Sequence, residues 1–163
     1  VEPSHPQRLV RFRAMTPSDV AGVGSVERAS YQFPWSDGIF RDCLRVGYLC
    51  RVAECEGEIV AYGIVAMGAG EAHVLNLCVG PAVRGRGGGR ILVDAAVAHA
   101  AREGVALLRL FTLWHEDFYA SLGWQVEERT SLHGTPVVIM SIRPADRVAH
   151  TGVLSDAVWM THD

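Results

Sequence analysis

Apolar and polar positions along this chain fall into blocks whose period changes repeatedly. In "LVRFRAM" (9–15) apolar and charged residues alternate with a period of two, which predicts a half-buried strand. "TPSDVAGVGSVERAS" (16–30) follows, with Thr16 placed as cap, Pro17 at the first helical position and Asp19 at the third, a helix start. Pro34 in "YQFPW" biases Phe33 away from helical backbone and interrupts the pattern. Ser36 then caps a second predicted helix, "DGIFRDCLRV", with Ile39, Phe40, Cys43 and Leu44 on one face.

Two β-rich runs, "YLCRVAEC" and "IVAYGIVAM", are joined by the turn "EGE" and predict an antiparallel hairpin. "EAHVLNLCVG" is a further strand, "RILVDAAVAHAARE" an alanine-rich helix closed by Gly104, and "VALLRLFTL" a strand again, so this unit should cross over right-handed. A short helix in "EDFYASLG" and a closing hairpin, "WQVEERTSL" and "VVIMSI" around "HGTP", complete the pattern, which Pro144 is expected to end. The expectation is one domain over residues 1–163, with a core of about 10–142, an N-terminal tail 1–9 and a C-terminal extension 144–163. In that extension "VLSDAVWM" is apolar enough to pack, and a second copy of the chain, a homodimer, is one surface it would fit.

Composition narrows the function classes. With 163 residues the chain suits one domain with a real core. Fifteen Lys+Arg against 18 Asp+Glu give a net charge of -3, which argues against phosphate-backbone binding and hence against nucleic acid as a partner. Cys43, Cys50, Cys55 and Cys78 lack C-x-x-C spacing and read as buried free thiols, suited to a reducing compartment. No apolar run is long enough to span a bilayer, and "VEPSHPQR" has no signal pattern, so the expected location is cytoplasmic with no membrane partner.

Against this acidic background "RGRGGGR" (84–90) stands out, lying between a predicted strand and a predicted helix. Glycines there allow close backbone approach, and the helix's first turn offers N–H groups and a positive dipole end, an anion site with Arg84, Arg86 and Arg90 at its rim. A Walker loop is excluded because Gly-Arg-Ile stands where Gly-Lys-Ser/Thr is required. A Rossmann fingerprint fails at Arg90, where its third glycine belongs, and at Glu103, which is not placed to hold a ribose. Arg84-x-x-Gly87-x-Gly89 resembles the Q/R-x-x-G-x-G/A signature of the GNAT N-acetyltransferases, and the order of elements resembles theirs from about Val10 to Ile142. "FPWSDGIF" and "LNLCV" are similar to the ribosomal-protein alanine N-acetyltransferase (RimI) type.

The resemblance implies a GNAT-like α/β (α+β) fold, a mixed and mostly antiparallel sheet flanked by helices. It also implies acetyl-CoA as cosubstrate, no metal, and transfer of an acetyl group to a primary amine by direct attack in a ternary complex. The acceptor is either a protein N-terminal α-amine or a small-molecule amine, and a non-catalytic acyl-CoA-binding module is the alternative class. By the same resemblance, residues 84–90 (Arg84, Gly85, Arg86, Gly87, Gly88, Gly89, Arg90) bind the pyrophosphate, and the backbone of Leu77, Cys78 and Val79 binds pantetheine and the acetyl oxygen. Tyr119 of "FYASLGW" matches the tyrosine that serves the coenzyme sulfur, and Phe33 and Trp35 match a loop that packs against a peptide acceptor; both aromatics read equally well as core. The glutamate base of the RimI type falls on Phe111 here, and "TLWHED" lacks that group's asparagine. Glu71 and His73, two apart on a strand and sharing a face with Leu75 and Leu77, are the first candidates for a base, with His115 and Glu116 behind them.

Overall fold

The structure is a computed structural model and describes residues 7–84, 87–151 and 158–162. β1 (Gln7–Ala14) leads into a 3-10 turn (Pro17–Asp19) and then α1 (Val20–Ser30) and α2 (Asp37–Arg45). β2 (Leu49–Cys55), β3 (Glu58–Met67) and β4 (Glu71–Val79) follow as an antiparallel meander. α3 (Gly88–Arg102) crosses to β5 (Leu107–Thr112), which lies parallel to β4. α4 (Glu116–Ser121), β6 (Gln125–Leu132), β7 (Thr135–Ile142), α5 (Pro144–Thr151) and β8 (Val158–His162) complete the chain. The sheet order is β6-β7-β5-β4-β3-β2-β1-β8, with β4 and β5 its parallel pair.

Local chemistry accounts for the element ends. Asp19 closes a capping box with Thr16, yet the residues it caps form a 3-10 turn, so α1 itself begins at Val20 rather than directly after Thr16. Arg13 pairs with both Asp19 and Glu54, and that guanidinium holds the Asp19 carboxyl down at about 2. The Ser36 side chain accepts from the Ile39 N–H, as expected of the cap of α2. Both two-residue hairpins carry left-handed backbone at both turn positions, Glu56–Gly57 and His133–Gly134, the geometry that matches strand twist.

Two expectations fail here. Ile39 is exposed, while Phe40 and Cys43 face the core, because the packed stripe of so short a helix is narrow. Pro144 starts α5 instead of ending regular structure: proline fits the first helical turn, whose N–H groups have no intrahelical partner. α5 packs on α3, where Arg147 and the buried Asp94 form a two-pronged ion pair at 3.1 Å. The four cysteines are buried and unbridged.

Each face of the sheet has its own core. On the α1/α2 face Val20, Val23, Phe40, Cys43, Tyr62, Ile64 and Cys78 pack together, with Phe40 and Tyr62 edge to face at 5.5 Å. On the α3 face Val93 and Val97 pack on Ala72, Leu108, Leu110, Leu122, Trp124 and Met140.

Candidate active site

Strand β4 changes character at Leu75. Val74 pairs with Val65 and Asn76 with the adjacent Ile64, so Leu75 is an extra, bulged residue. Before the bulge, Ala72 and Val74 point to the α3 face and Glu71 and His73 to the opposite one; after it, Leu77 joins the α3 side and Cys78 the α1/α2 side. The expected shared face of Glu71, His73, Leu75 and Leu77 is therefore broken, because one inserted residue reverses the alternation.

β4 also parts from β5 at this point. Their paired residues run only from Glu71–Leu107 to His73–Arg109, although β4 continues to Val79 and β5 to Thr112. Beyond His73 the two strands splay, leaving the β5-facing side of Asn76–Val79 without a strand partner. Two carbonyls on this stretch have side-chain partners, the Tyr31 hydroxyl donating to Leu77 O at 3.1 Å and Arg84 to Val79 O. Burial, with Cys78, Glu27 and Tyr119 nearby, pushes the Tyr31 phenol well above its ordinary value.

The glycine stretch sits at the far end of β4. Gly87 adopts left-handed backbone (φ 77) as cap of α3, with nothing within 4 Å of where a Cβ would stand. A Cβ on Gly89 would lie 3.5 Å from Phe118 and 4.0 Å from Val79, so the first turn of α3 opens between the end of β4 and α4. Gly88 is buried, Arg90 is exposed, and Arg84 folds back so that its Nε donates to Val79 O at 3.0 Å. Gly85 and Arg86 lie outside the described residues. A left-handed glycine, the unpaired N–H groups inherent in a first helical turn and a splayed strand edge together fit a ligand with a phosphate group and an extended amide chain.

Tyr119 lies beside this opening on α4, its ring in edge contact with Phe118 (5.1 Å) and Trp124 (5.6 Å), and burial raises its phenol above the ordinary value. Cys78 is buried beside the hydroxyls of Tyr31 and Tyr62. Tyr62 is the direct cross-strand partner of Cys78.

The other candidates scatter. Glu71 pairs with Arg109 at 2.8 Å, and Arg109 also holds Glu127. His73 is exposed in an open groove with Arg109, Phe111, Glu127, Glu128 and Ile139, on the sheet face beyond α1 and α2. At about 3.3 Å per residue it stands roughly 10 Å of strand from Asn76–Leu77. Glu116 is clamped by both terminal nitrogens of Arg129 at 2.8 Å, which lowers its pKa, and His115 is the exposed cap of α4. Phe111 is 57% exposed. Of the loop aromatics, Phe33 is 85% exposed while Trp35 is half-buried against Phe40 at 5.3 Å.

Glu27, like Tyr31 and Asn76, was not selected from the sequence. Glu27 is 2% exposed, and its carboxylate accepts from the Tyr62 hydroxyl, from Asn76 Nδ2 at 2.9 Å and from the Trp35 N–H at 2.8 Å. The available signal was its spacing: Val20, Val23 and Glu27 fall on one helical face, and that face is buried.

The chain is 26% identical over 102 residues to the [ribosomal protein bS18]-alanine N-acetyltransferase of Salmonella typhimurium, a match covering 63% of this chain and 66% of that relative, slightly under two thirds of its length. The ribosomal-protein-S18-alanine N-acetyltransferase of Escherichia coli shares the fold with a TM-score of 0.74 at 23% identity, over 82% of this chain and 93% of its own. The Escherichia coli GNAT protein YhbS, solved in complex with CoA, has a TM-score of 0.71 at 21% identity and covers 95% of this chain and 90% of its own. Residues 46–126, from the start of the β2 hairpin through the glycine loop and Tyr119, match the acetyltransferase (GNAT) domain, and the chain belongs to that family.

Proposed function

We propose that this chain is an acetyl-CoA-dependent N-acetyltransferase whose acceptor is a primary amine attacking directly in a ternary complex. The observation that carries this reading is the meeting of three parts at one opening: the splayed edge of Asn76–Val79, the first turn of α3 at Gly87–Arg90, and Tyr119. Acetyl-CoA supplies the activated acetyl group as a thioester. The α3 N–H groups with Gly87, Gly88 and Gly89 receive the pyrophosphate, Arg84 and Arg90 add charge at the rim, and the backbone of Leu77, Cys78 and Val79 receives the pantetheine and acetyl oxygens. Tyr119 keeps its proton at neutral pH and donates it to the sulfur as the C–S bond breaks, and the proton lost by the newly acylated nitrogen restores the phenol.

Glu71 is tied to Arg109, and His73 is a long stretch of strand away, so neither reaches the amine directly. We therefore read the acceptor amine as arriving neutral. At pH 7 about a tenth of an N-terminal α-amine is neutral, against a few parts in ten thousand of a lysine side chain. This favours a protein N-terminal α-amine, with Phe33 and Trp35 in the loop that meets it. A small amine of low pKa satisfies the same chemistry.

The test is a melting experiment joined to a thiol-release assay. Acetyl-CoA at a hundredfold excess over its dissociation constant should stabilise the fold by about 2.7 kcal/mol. Gly87→Asp should abolish that shift, since a carboxylate would occupy the anion site and the backbone there is left-handed. Thiol release with panels of peptides and small amines identifies the acceptor. An unchanged shift in Gly87→Asp would move the cofactor elsewhere, and binding without turnover on any acceptor would make the chain an acyl-CoA-binding module.

A further inference from the structure

The segment between α1 and α2, residues 31–36, is fastened to the sheet at two places, and both fasteners end on the same step of β4. At one end the Tyr31 hydroxyl donates to Leu77 O at 3.1 Å. At the other the Trp35 N–H donates to the Glu27 carboxylate, which in turn accepts from Asn76 Nδ2. Between them Phe33 is held outward and 85% exposed. Asn76 and Leu77 are the first two residues after the bulge, where β4 has left β5.

Burying a carboxylate in this way is costly, and the donors around Glu27 are a phenol, an amide and a backbone N–H, none of them a cation. A hydrophobic residue at position 27 would fill the same space on a face already made of Val20 and Val23. What it could not do is accept hydrogen bonds from three separate elements at once: β3 through Tyr62, β4 through Asn76 and the α1–α2 segment through Trp35. A carboxylate, with two oxygens and about four lone pairs, can.

We propose that Glu27 is a positioning residue that couples the α1–α2 segment to the post-bulge step of β4, so that ligand contact at Leu77–Val79 orders residues 31–36. The inference rests on the cofactor reading above. The coupling is reciprocal by linkage: whatever docks against Phe33 and holds the segment in place tightens acetyl-CoA binding by the same factor.

Hydrogen exchange on the full chain, with and without acetyl-CoA, tests it. In the unaltered chain acetyl-CoA should slow exchange of the amides of residues 31–33, 35 and 36, the Trp35 N–H included. Glu27→Ala removes the whole junction and risks the fold, so the deciding variant is Asn76→Ala, which cuts only the link between carboxylate and β4. It should still bind acetyl-CoA, with a melting shift smaller than in the unaltered chain because the coupling no longer adds to affinity, and should speed Trp35 exchange in the free chain by about fivefold, the weight of one net hydrogen bond. It should also remove most of the protection that acetyl-CoA gives residues 31–36. A segment that responds in Asn76→Ala as in the unaltered chain, or never responds although acetyl-CoA shifts the melting point, overturns the coupling alone. Absence of any melting shift in the unaltered chain overturns the cofactor reading, and the junction is then judged on ligand-free Trp35 exchange, where an unchanged rate in Asn76→Ala overturns it.

Discussion

The two ends of β4 make an instructive pair. From Glu71 to His73 the strand has neighbours on both sides, and its outward charge is cancelled by Arg109. From Asn76 to Val79 it keeps only β3, and Tyr31 and Tyr62 gather around it where charged pairs stood before. One inserted residue, Leu75, separates the two. The first end frames the sheet, and the second exposes backbone groups to be used. A strand edge is ordinarily something a protein must protect; here it is opened on the inside of a sheet, where helices on both faces limit what can reach it.

The comparison breaks most visibly at Tyr119. If the open end carries the chemistry, Tyr119→Phe keeps the packing against Phe118 and Trp124 but loses the hydroxyl, and kcat should fall on the order of a hundredfold with acetyl-CoA affinity nearly unchanged. An unaltered kcat, measured where acetyl transfer limits the rate, would return Tyr119 to the core. A pH profile sharpens the point with a smaller effect. Burial disfavours the phenolate, so the alkaline fall in kcat should have its midpoint above about pH 10, where an ordinary tyrosine is half ionised. A midpoint near pH 9 would assign the proton to a different group.

The smallest effects belong at the framed end. Glu71→Gln and His73→Ala should each change kcat/KM by less than about threefold, as expected of two exposed residues, the first in a surface ion pair that contributes little. A loss of two orders of magnitude in His73→Ala would make the framed end catalytic, through water, and erase the distinction drawn here.

Much of this fold was readable from period and punctuation alone. The β2–β3 and β6–β7 hairpins, the β4–α3–β5 crossover and the Ser36 cap each depend on residues near in sequence. Gly87 was readable for the same reason, since a left-handed cap selects glycine by its own sterics. The bulge at Leu75 was not, because it exists only as a register between β3 and β4 and leaves no mark in "HVLNL". Glu27 looks like one more charged residue near a helix end until Tyr62, 35 positions away, and Asn76, 49 away, are folded onto it. Pro144 misled because proline both closes and opens helices, and the buried Asp94 that holds α5 through Arg147 lies 53 residues upstream.

β8 lies beside β1, with Gln7 across from His162. Residues 7 and 162 therefore lie at one margin of the sheet, three and four strand spacings from β4, or roughly 14 and 19 Å. A short linker between these two positions would close the chain into a ring, and it could be reopened at the exposed His133–Gly134 turn on the other side of the molecule. A rearranged chain of that kind would keep the order of strands around the splay while the connection between its first and last elements was replaced, so tags, surfaces or second domains can be joined at that margin without crossing the opening at Asn76–Val79.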